Sequence, residues 1–249
     1  GQTARAITLG FPVFSEAIPE LKPLQSFDQR SPYHAYDVLE HTARVCSATE
    51  AFTVGCATPA LRWAALLHDI SKPEMFSVDA DGRGHFYGHP EKGALVAKAL
   101  LKRLALPQHL IREVCALVAL HDFDVKVTTS SIRKMVTYLA QRSSSDGISL
   151  AYSLLVLKQA DALAKALPYR EYAVTLERMS RLLQSEAKKG IAQRPQELCI
   201  SGTDIMQILS LKPGPLVGIY QQKVFESYLS GNIENRREDL LALLAQLAH

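Results

Sequence analysis

The chain has 249 residues, 47% hydrophobic and 21% charged: one to two domains at roughly 150 residues each, able to bury a core without disulfides or a structural metal, and too apolar to be mainly disordered. Lys and Arg number 28 against 25 Asp and Glu, a net charge of +3, which admits anionic substrates but falls short of the footprint of a dedicated nucleic-acid binder. No run free of charged side chains approaches the roughly 20 apolar residues of a membrane span, and no signal-peptide core follows the first residues. No Met opens the chain, so Gly1 reads as a tag remnant or as the cut end of something longer.

Residues 10–36 read as irregular, because Pro12, Pro19, Pro23 and Pro32 interrupt any long helix. Asp37 is an N-cap for a helix to about Phe52. Thr58 caps a second helix with Pro59 in its first turn. Its Leu61, Trp63, Ala64, Ala65, Leu66 and Leu67 make it apolar nearly all round, hence central and buried. Asp79 to Gly84 is a loop or a short hairpin. Pro90 starts a helix to about Leu104. Pro107 starts another, with Leu110, Val114, Leu117 and His121 on one stripe. Residues 143–147 form a loop and cap before a long helix from about Ile148 to Leu167, whose stripe includes Leu150, Leu154 and Leu157. Residues 170–189 read as an exposed charged helix that Gly190 ends. A short element over Glu197 to Leu211, a turn at Lys212-Pro213-Gly214-Pro215 and two helices close the chain. The class is all-α, a helical bundle with a small helical tail module. The expected division is an irregular segment 1–30, a body 31–190 and a tail 191–249.

Cys46, Cys56, Cys115 and Cys199 contain no C-x-x-C pair and fall in apolar helical stretches. They read as reduced core thiols of a cytoplasmic protein.

The titratable residues on apolar faces carry the chemistry. Asp161 continues the stripe of Leu154 and Leu157, where a bare carboxylate costs several kcal/mol unless it is paired or metal-bound. His121 continues a stripe in the same way, His41 lies inside the first helix, and His68-Asp69 closes the buried second one. A lone His on an apolar face is usually a hydrogen-bonded core residue, and Asp161 alone could pair with Lys or Arg. Adjacent His and Asp at a helix C-terminus, where the backbone unwinds, can instead turn onto one ion. That ligand chemistry suits divalent manganese, iron, cobalt, nickel or zinc.

His41, His68-Asp69 and Asp161 reproduce, in order, the H…HD…D pattern of the HD-domain metal-dependent phosphohydrolase superfamily. Three stretches narrow the likeness: Tyr33-His34-Ala35-Tyr36-Asp37-Val38-Leu39-Glu40-His41-Thr42, Leu66-Leu67-His68-Asp69-Ile70-Ser71-Lys72-Pro73 and Gly84-His85-Phe86-Tyr87-Gly88-His89-Pro90. They resemble the HD region of bacterial tRNA nucleotidyltransferases, the CCA-adding enzymes and their poly(A) polymerase relatives. Ile200-Ser201-Gly202-Thr203-Asp204-Ile205, Lys212-Pro213-Gly214-Pro215, Gly218 and Asn235-Arg236-Arg237-Glu238 resemble the C-terminal module of that family. The likeness runs from about Pro19 onward and makes 31–190 an HD domain.

Two departures stand out. The Gly-Ser turn and paired carboxylates of that family's catalytic head have no counterpart here. Asp79-Ala80-Asp81 has the spacing, but it sits in a Gly-rich loop and reads as a solvated turn. Nucleotide addition is therefore not expected from this chain alone, which reads as a headless relative or as the C-terminal portion of a longer enzyme. Ser71 stands where the family usually has Gly, and a left-handed backbone there would cost Ser about 1 kcal/mol.

The resemblance implies that His41, His68, Asp69 and Asp161 are metal ligands. His89 and His121 would hold a second ion or the substrate phosphate, with Asp69 then bridging. It implies one or two divalent ions (Mn, Ni, Co, Fe, Mg or Zn). Lys72 would face the phosphate, although as a residue by itself it reads equally as a surface lysine. The implied catalytic residues are Asp69, Lys72, His89 and His121. Water activated at the metal would attack phosphorus, the ion and Lys72 would offset charge on the phosphoryl oxygens, and His89 or His121 would protonate the leaving oxygen. His34, His85 and Asp122 are weaker candidates; His34 and His85 could line the pocket mouth but read first as solvated loop residues, and His109 and His249 carry no expected role. Tyr169-Arg170 and Arg236-Arg237 could touch RNA phosphates, though exposed charge pairs are usually just solvated. The expected activity is phosphomonoester, phosphodiester or cyclic-phosphate hydrolysis on a nucleotide or RNA end. The alternative is a tRNA-binding body and tail with an idle or structural metal site. The partners are a nucleotide or phosphate ester and, in the alternative, tRNA. No membrane is expected, and a homodimer is allowed.

Overall fold

Side-chain caps open five of the described α-helices. The Asp37 carboxylate accepts the Glu40 N–H at 2.7 Å and opens α2 (Val38–Phe52), and the Thr58 hydroxyl accepts the Leu61 N–H and opens α3 (Pro59–Leu67). These follow α1 (Gln2–Ala17) and a 3-10 turn over Pro19–Leu24. The computed structural model describes residues 2–33, 35–124, 126–167 and 171–247. After α3 come a two-stranded antiparallel hairpin, β1 (Ser77–Val78) and β2 (Gly84–His85), then α4 (His89–Arg103), α5 (Gln108–Leu120), α6 (Thr129–Ser143), α7 (Gly147–Ala164) and α8 (Tyr172–Lys189). The tail holds α9 (Gly202–Ile208), α10 (Pro215–Leu229) and α11 (Arg237–Gln246). The hairpin is the only sheet among the described residues, and the fold is all-α as read from the sequence. None of the described helices is long and apolar enough to cross a membrane.

The main core is built around α7, which packs on α2, α3, α5, α6 and α8. Its Leu150, Ala151, Leu154, Leu155, Leu157 and Ala160 are all buried, as the near-continuous apolar sequence requires. A second, smaller core joins Leu198, Ile200, Ile205, Val224, Phe225, Tyr228, Leu240 and Leu244 of the tail. In α9 a capping box between Ser201 and Asp204 satisfies the first turn. Arg133 of α6 ties the two cores together. Its guanidinium, 1% exposed, donates to the carbonyls of Tyr228 and Ile233 at 2.9 and 2.8 Å, pairs with Glu186 and Glu234, and lies over the Tyr228 ring.

Several expectations need correction. Residues 2–17 are helical, not irregular, with Pro12 inside α1. Packing of Ile7, Phe11 and Ile18 against the main core outweighs the hydrogen bond that Pro12 removes. Residues 129–143, which the sequence pattern left unassigned, form α6, capped by Thr128. Helix α7 ends at Ala164 because Lys165 turns extended. The charged helix α8 is not wholly exposed: Leu176, Met179 and Leu183 sit in the main core. Only Cys46 of the four thiols is buried; Cys115 is half-buried, and Cys56 and Cys199 are exposed, lying in turns at the ends of elements. His34, Tyr169, Arg170 and His249 lie outside the described residues.

Candidate metal centre

Leu67 is the last residue of α3, and the chain then continues in tighter turns. Ile70 donates to Leu67 O and Lys72 to Asp69 O, each a three-residue step. That winding lets His68 and Asp69 face the same interior point and stacks Lys72 over Asp69, since residues three apart nearly eclipse in such turns. Ser71 takes no left-handed conformation, so the strain expected from the missing glycine does not arise. Its hydroxyl donates to His89 O at 2.7 Å and so joins the turn to the start of α4. The close neighbour Gly93 leaves room for it.

The six histidines and aspartates read from the sequence come together around Asp69. His41 Nε2 lies 3.0 Å from Asp161 Oδ1 and 3.6 Å from Asp69 Oδ2. His68 Nε2 lies 3.2 Å from Asp69 Oδ2. On the other oxygen, Asp69 Oδ1 faces His89 Nε2 at 3.4 Å and His121 Nε2 at 3.5 Å. Two groups result, His41–His68–Asp161 and Asp69–His89–His121, each with ligand atoms mutually within 4.8 Å. All except Asp161 are deeply buried. Lys72 is buried too, not a surface lysine: its Nζ is 2.7 Å from Asp69 Oδ2 and donates to Gln29 Oε1 at 2.9 Å.

The donor set fits a divalent cation. His68, His89 and His121 place Nδ1 at 2.9, 2.8 and 2.7 Å from the carbonyls of Ala65, Phe86 and Val118. Each ring therefore carries its proton on Nδ1 and turns an Nε2 lone pair inward, the arrangement that orients metal-binding histidines. Ligand atoms about 2.1 Å from one ion sit about 3.0–3.4 Å apart, close to the nitrogen–oxygen separations found here. His68 Nε2 and Asp69 Oδ2 are buried without a well-angled hydrogen bond. His68 and His121 cap the C-termini of α3 and α5, whose dipoles add negative potential at the same point.

Protonation follows from the same packing. Burial works against the charged forms of Asp69 and Asp161, yet the neighbouring His68 and Lys72 hold Asp69, and Lys165 and His41 hold Asp161, well below the usual carboxylate range. Burial pushes His41 and His121 down despite their carboxylate neighbours. For His68 burial is outweighed by Asp69 and Asp161, and its pKa rises. The ionised carboxylates and the lowered His41 and His121 are in the ligand forms a metal requires, and a cation would displace the proton that the two carboxylates favour on His68.

A cleft of about 550 Å³ opens above the cluster, lined by Asp69, Lys72, His89, His121 and Asp161 together with Arg83, His85, Tyr87, Asp122 and Lys165. The weaker candidates His85 and Asp122 thus line the cleft. His109 lies apart, in the first turn of α5. Sequence reading missed Lys165, Lys158 and Gln29. Lys165 Nζ is 3.1 Å from Asp161 Oδ2, and its i+4 spacing from Asp161 was a usable signal. Lys158 is buried and donates to His121 O and Phe123 O; burial pushes its pKa down to about 8. It lies on the same helix stripe as Leu154 and Asp161 and could have been found the same way. Gln29 sits in an irregular segment with no periodicity to flag it. Arg236 and Arg237 make intramolecular pairs with Asp239 and Asp204.

A family model for tRNA nucleotidyltransferase domain 2 matches residues 92–244. The chain belongs to the tRNA nucleotidyltransferase family. It is 30% identical over 222 residues to an A-adding tRNA nucleotidyltransferase of Deinococcus radiodurans, a stretch covering 89% of this chain and 49% of that protein. It is 32% identical over 184 residues to a CC-adding tRNA nucleotidyltransferase of Thermus thermophilus, covering 74% of this chain and 39% of that protein. The chain thus spans half or less of the length of these tRNA nucleotidyltransferases. The domain 2 match includes His121, Asp161 and the tail, and begins after His89.

Proposed function

We propose that the cluster is a divalent-metal centre of the HD type and that the chain hydrolyses phosphomonoesters, phosphodiesters or cyclic phosphates on a nucleotide or RNA end. The observation that carries this reading is Asp69, whose two oxygens each face a separate pair of imidazoles. When bound, one or two divalent ions supply Lewis acidity toward the ester and lower the pKa of water. The residues do the rest. Arg83 and Lys165 at the cleft wall draw in the anion. Asp69 and Asp161 fix the histidines, and the carbonyls behind His68, His89 and His121 fix the ring tautomers. Lys72, held by Gln29 and Asp69, offsets charge developing on the phosphoryl oxygens. His89 and His121, their Nδ1 protons committed to Phe86 O and Val118 O, present Nε2 as ligands, and the leaving oxygen takes its proton from solvent in the cleft. The ion is one of Mn, Fe, Co, Ni, Zn or Mg, and the setting is cytoplasmic.

A second reading is favoured by the domain 2 match through the tail: a tRNA-gripping body with an idle or structural metal site. One experiment separates the two. Metal analysis of the purified chain, with turnover of bis-p-nitrophenyl phosphate and 2′,3′-cyclic nucleotides, is expected to give near-stoichiometric metal and activity that His68→Ala abolishes. Metal-free folding without turnover, together with tight, salt-dependent tRNA binding, would establish the second reading instead.

A further inference from the structure

The β1–β2 hairpin forms one wall of the cleft and carries an arrangement that ester hydrolysis does not use. Asp79 organises its turn. Oδ1 accepts the N–H groups of Asp81 and Arg83 at 3.0 and 2.9 Å, and Gly82 takes the left-handed conformation at φ 80°. The other carboxylate oxygen, Oδ2, faces His85 Nε2 at 2.8 Å. That contact places the imidazole proton on Nε2 and leaves Nδ1 as an acceptor for the Tyr87 hydroxyl at 3.3 Å. The two rings stack 5.2 Å apart and 6° from parallel.

Alternation along the hairpin puts Phe86 on the other side, against Phe76 and Phe27. The hairpin is also seated on the segment that serves the metal centre. Gly84 N donates to Arg30 O at 2.8 Å, and a side chain at Gly84 would collide with Gln29 O. Gln29 is the residue that holds Lys72.

Tyr87 is 74% exposed, yet an Asp79–His85–Tyr87 chain fixes its orientation. A tyrosine serving only as solvated loop surface would have no need of that entropic cost. Tyr87, His85 and Arg83 line the same cavity as Asp69, Lys72 and His121, so one ligand of nucleotide size can reach a π face and the metal cluster together.

We propose that the His85–Tyr87 pair is a nucleobase platform for a ligand whose phosphate lies at the metal cluster. The position of that phosphate rests on the hydrolytic reading; the platform itself rests on the hairpin. Stacking is tolerant of base identity because every base has a π face, so the platform selects nucleotides over base-free esters without choosing among the four bases. Tyr87 is the stacking residue; Asp79 and His85 position it.

The test uses 2-aminopurine fluorescence, which stacking quenches, with the metal-loaded full chain. The probes are 2-aminopurine ribonucleoside monophosphate and a short single-stranded RNA ending in 2-aminopurine, with affinity read in parallel by calorimetry; ribose 5-phosphate serves as the base-free comparison. Tyr87→Leu is expected to remove the quench and weaken binding of the base-bearing probe roughly tenfold, Tyr87→Phe to retain both, and ribose 5-phosphate to bind all three proteins with the same dissociation constant. Loss with both probes means that a mononucleotide suffices; loss with the RNA alone means that the platform serves an RNA end. Unchanged quench and affinity in Tyr87→Leu overturn the proposal. Hydrolysis measured in parallel keeps the two readings apart. A Tyr87-dependent quench without turnover keeps the platform and removes the hydrolytic reading, whereas turnover with no Tyr87 effect does the reverse.

Discussion

The Nε2 atoms of His89 and His121 lie 3.1 Å apart, although each ring already commits its Nδ1 proton to a backbone carbonyl. Two lone pairs at that distance repel unless something positive stands beside them. With Asp69 Oδ1 the two nitrogens form one of the two ligand groups. His121→Ala is therefore expected to lower bound metal by about one ion per chain while the His41–His68–Asp161 group keeps its own. Elemental analysis after metal loading, with the thermal midpoint recorded with and without chelator, checks this. At a hundredfold excess of ion over its Kd, occupancy contributes about 2.7 kcal/mol, so chelation should lower the midpoint of the wild type more than that of the variant.

Lys72 offers a second test. It is buried, paired to Asp69 and hydrogen-bonded to Gln29. Lys72→Met keeps most of the volume and removes the charge. Turnover of a phosphodiester is expected to fall by about two to three orders of magnitude, the cost typical of losing one positioned electrostatic donor, with helix content retained by circular dichroism. Unchanged turnover would remove Lys72 from the catalytic set.

Arg133 is expected to dominate the junction between body and tail. Replacing it with Met leaves Glu186 with Lys189 as its remaining charge partner and removes the guanidinium donor from the carbonyls of Tyr228 and Ile233. Losing hydrogen bonds from a charged donor costs about 1.5–3 kcal/mol each. Denaturant unfolding should show that loss and, as the tail core separates from the main core, two transitions in place of one.

Acid should loosen the tail through Asp204. Its hydrogen bond from Arg237, then the backbone and hydroxyl of Ser201, hold its carboxyl well below the usual carboxylate range. A carboxyl lowered in the folded state contributes stability above its unfolded pKa, and that contribution fades as pH falls through the folded value. The tail is thus expected to lose stability progressively below about pH 4. Asp204→Asn should flatten this dependence, as read by urea unfolding at a series of pH values.

Asp161, His121 and His68-Asp69 were legible in the sequence because helical periodicity makes a charged or polar residue on an apolar stripe conspicuous. The structure brings all of them within a few ångströms. The caps at Asp37 and Thr58 were legible for an equally local reason. What escaped depends on contacts distant in sequence. The pattern around Pro12 speaks against a helix, and only the core beneath Phe11 reverses it. Gln29 sits in an aperiodic stretch and acquires its role from Lys72. The exposure of Cys56 and Cys199 follows from where elements end, the least determined feature of any sequence pattern. Tyr87 carries no signal until the Asp79–His85 contact gives it a direction.

The Arg133 junction has a consequence for any polymer that touches both cores. Because α10 is fastened to α6 by a buried guanidinium, a strand that reached both the tail and the mouth of the cleft would meet them at a spacing set by that junction and not by the slack of a linker.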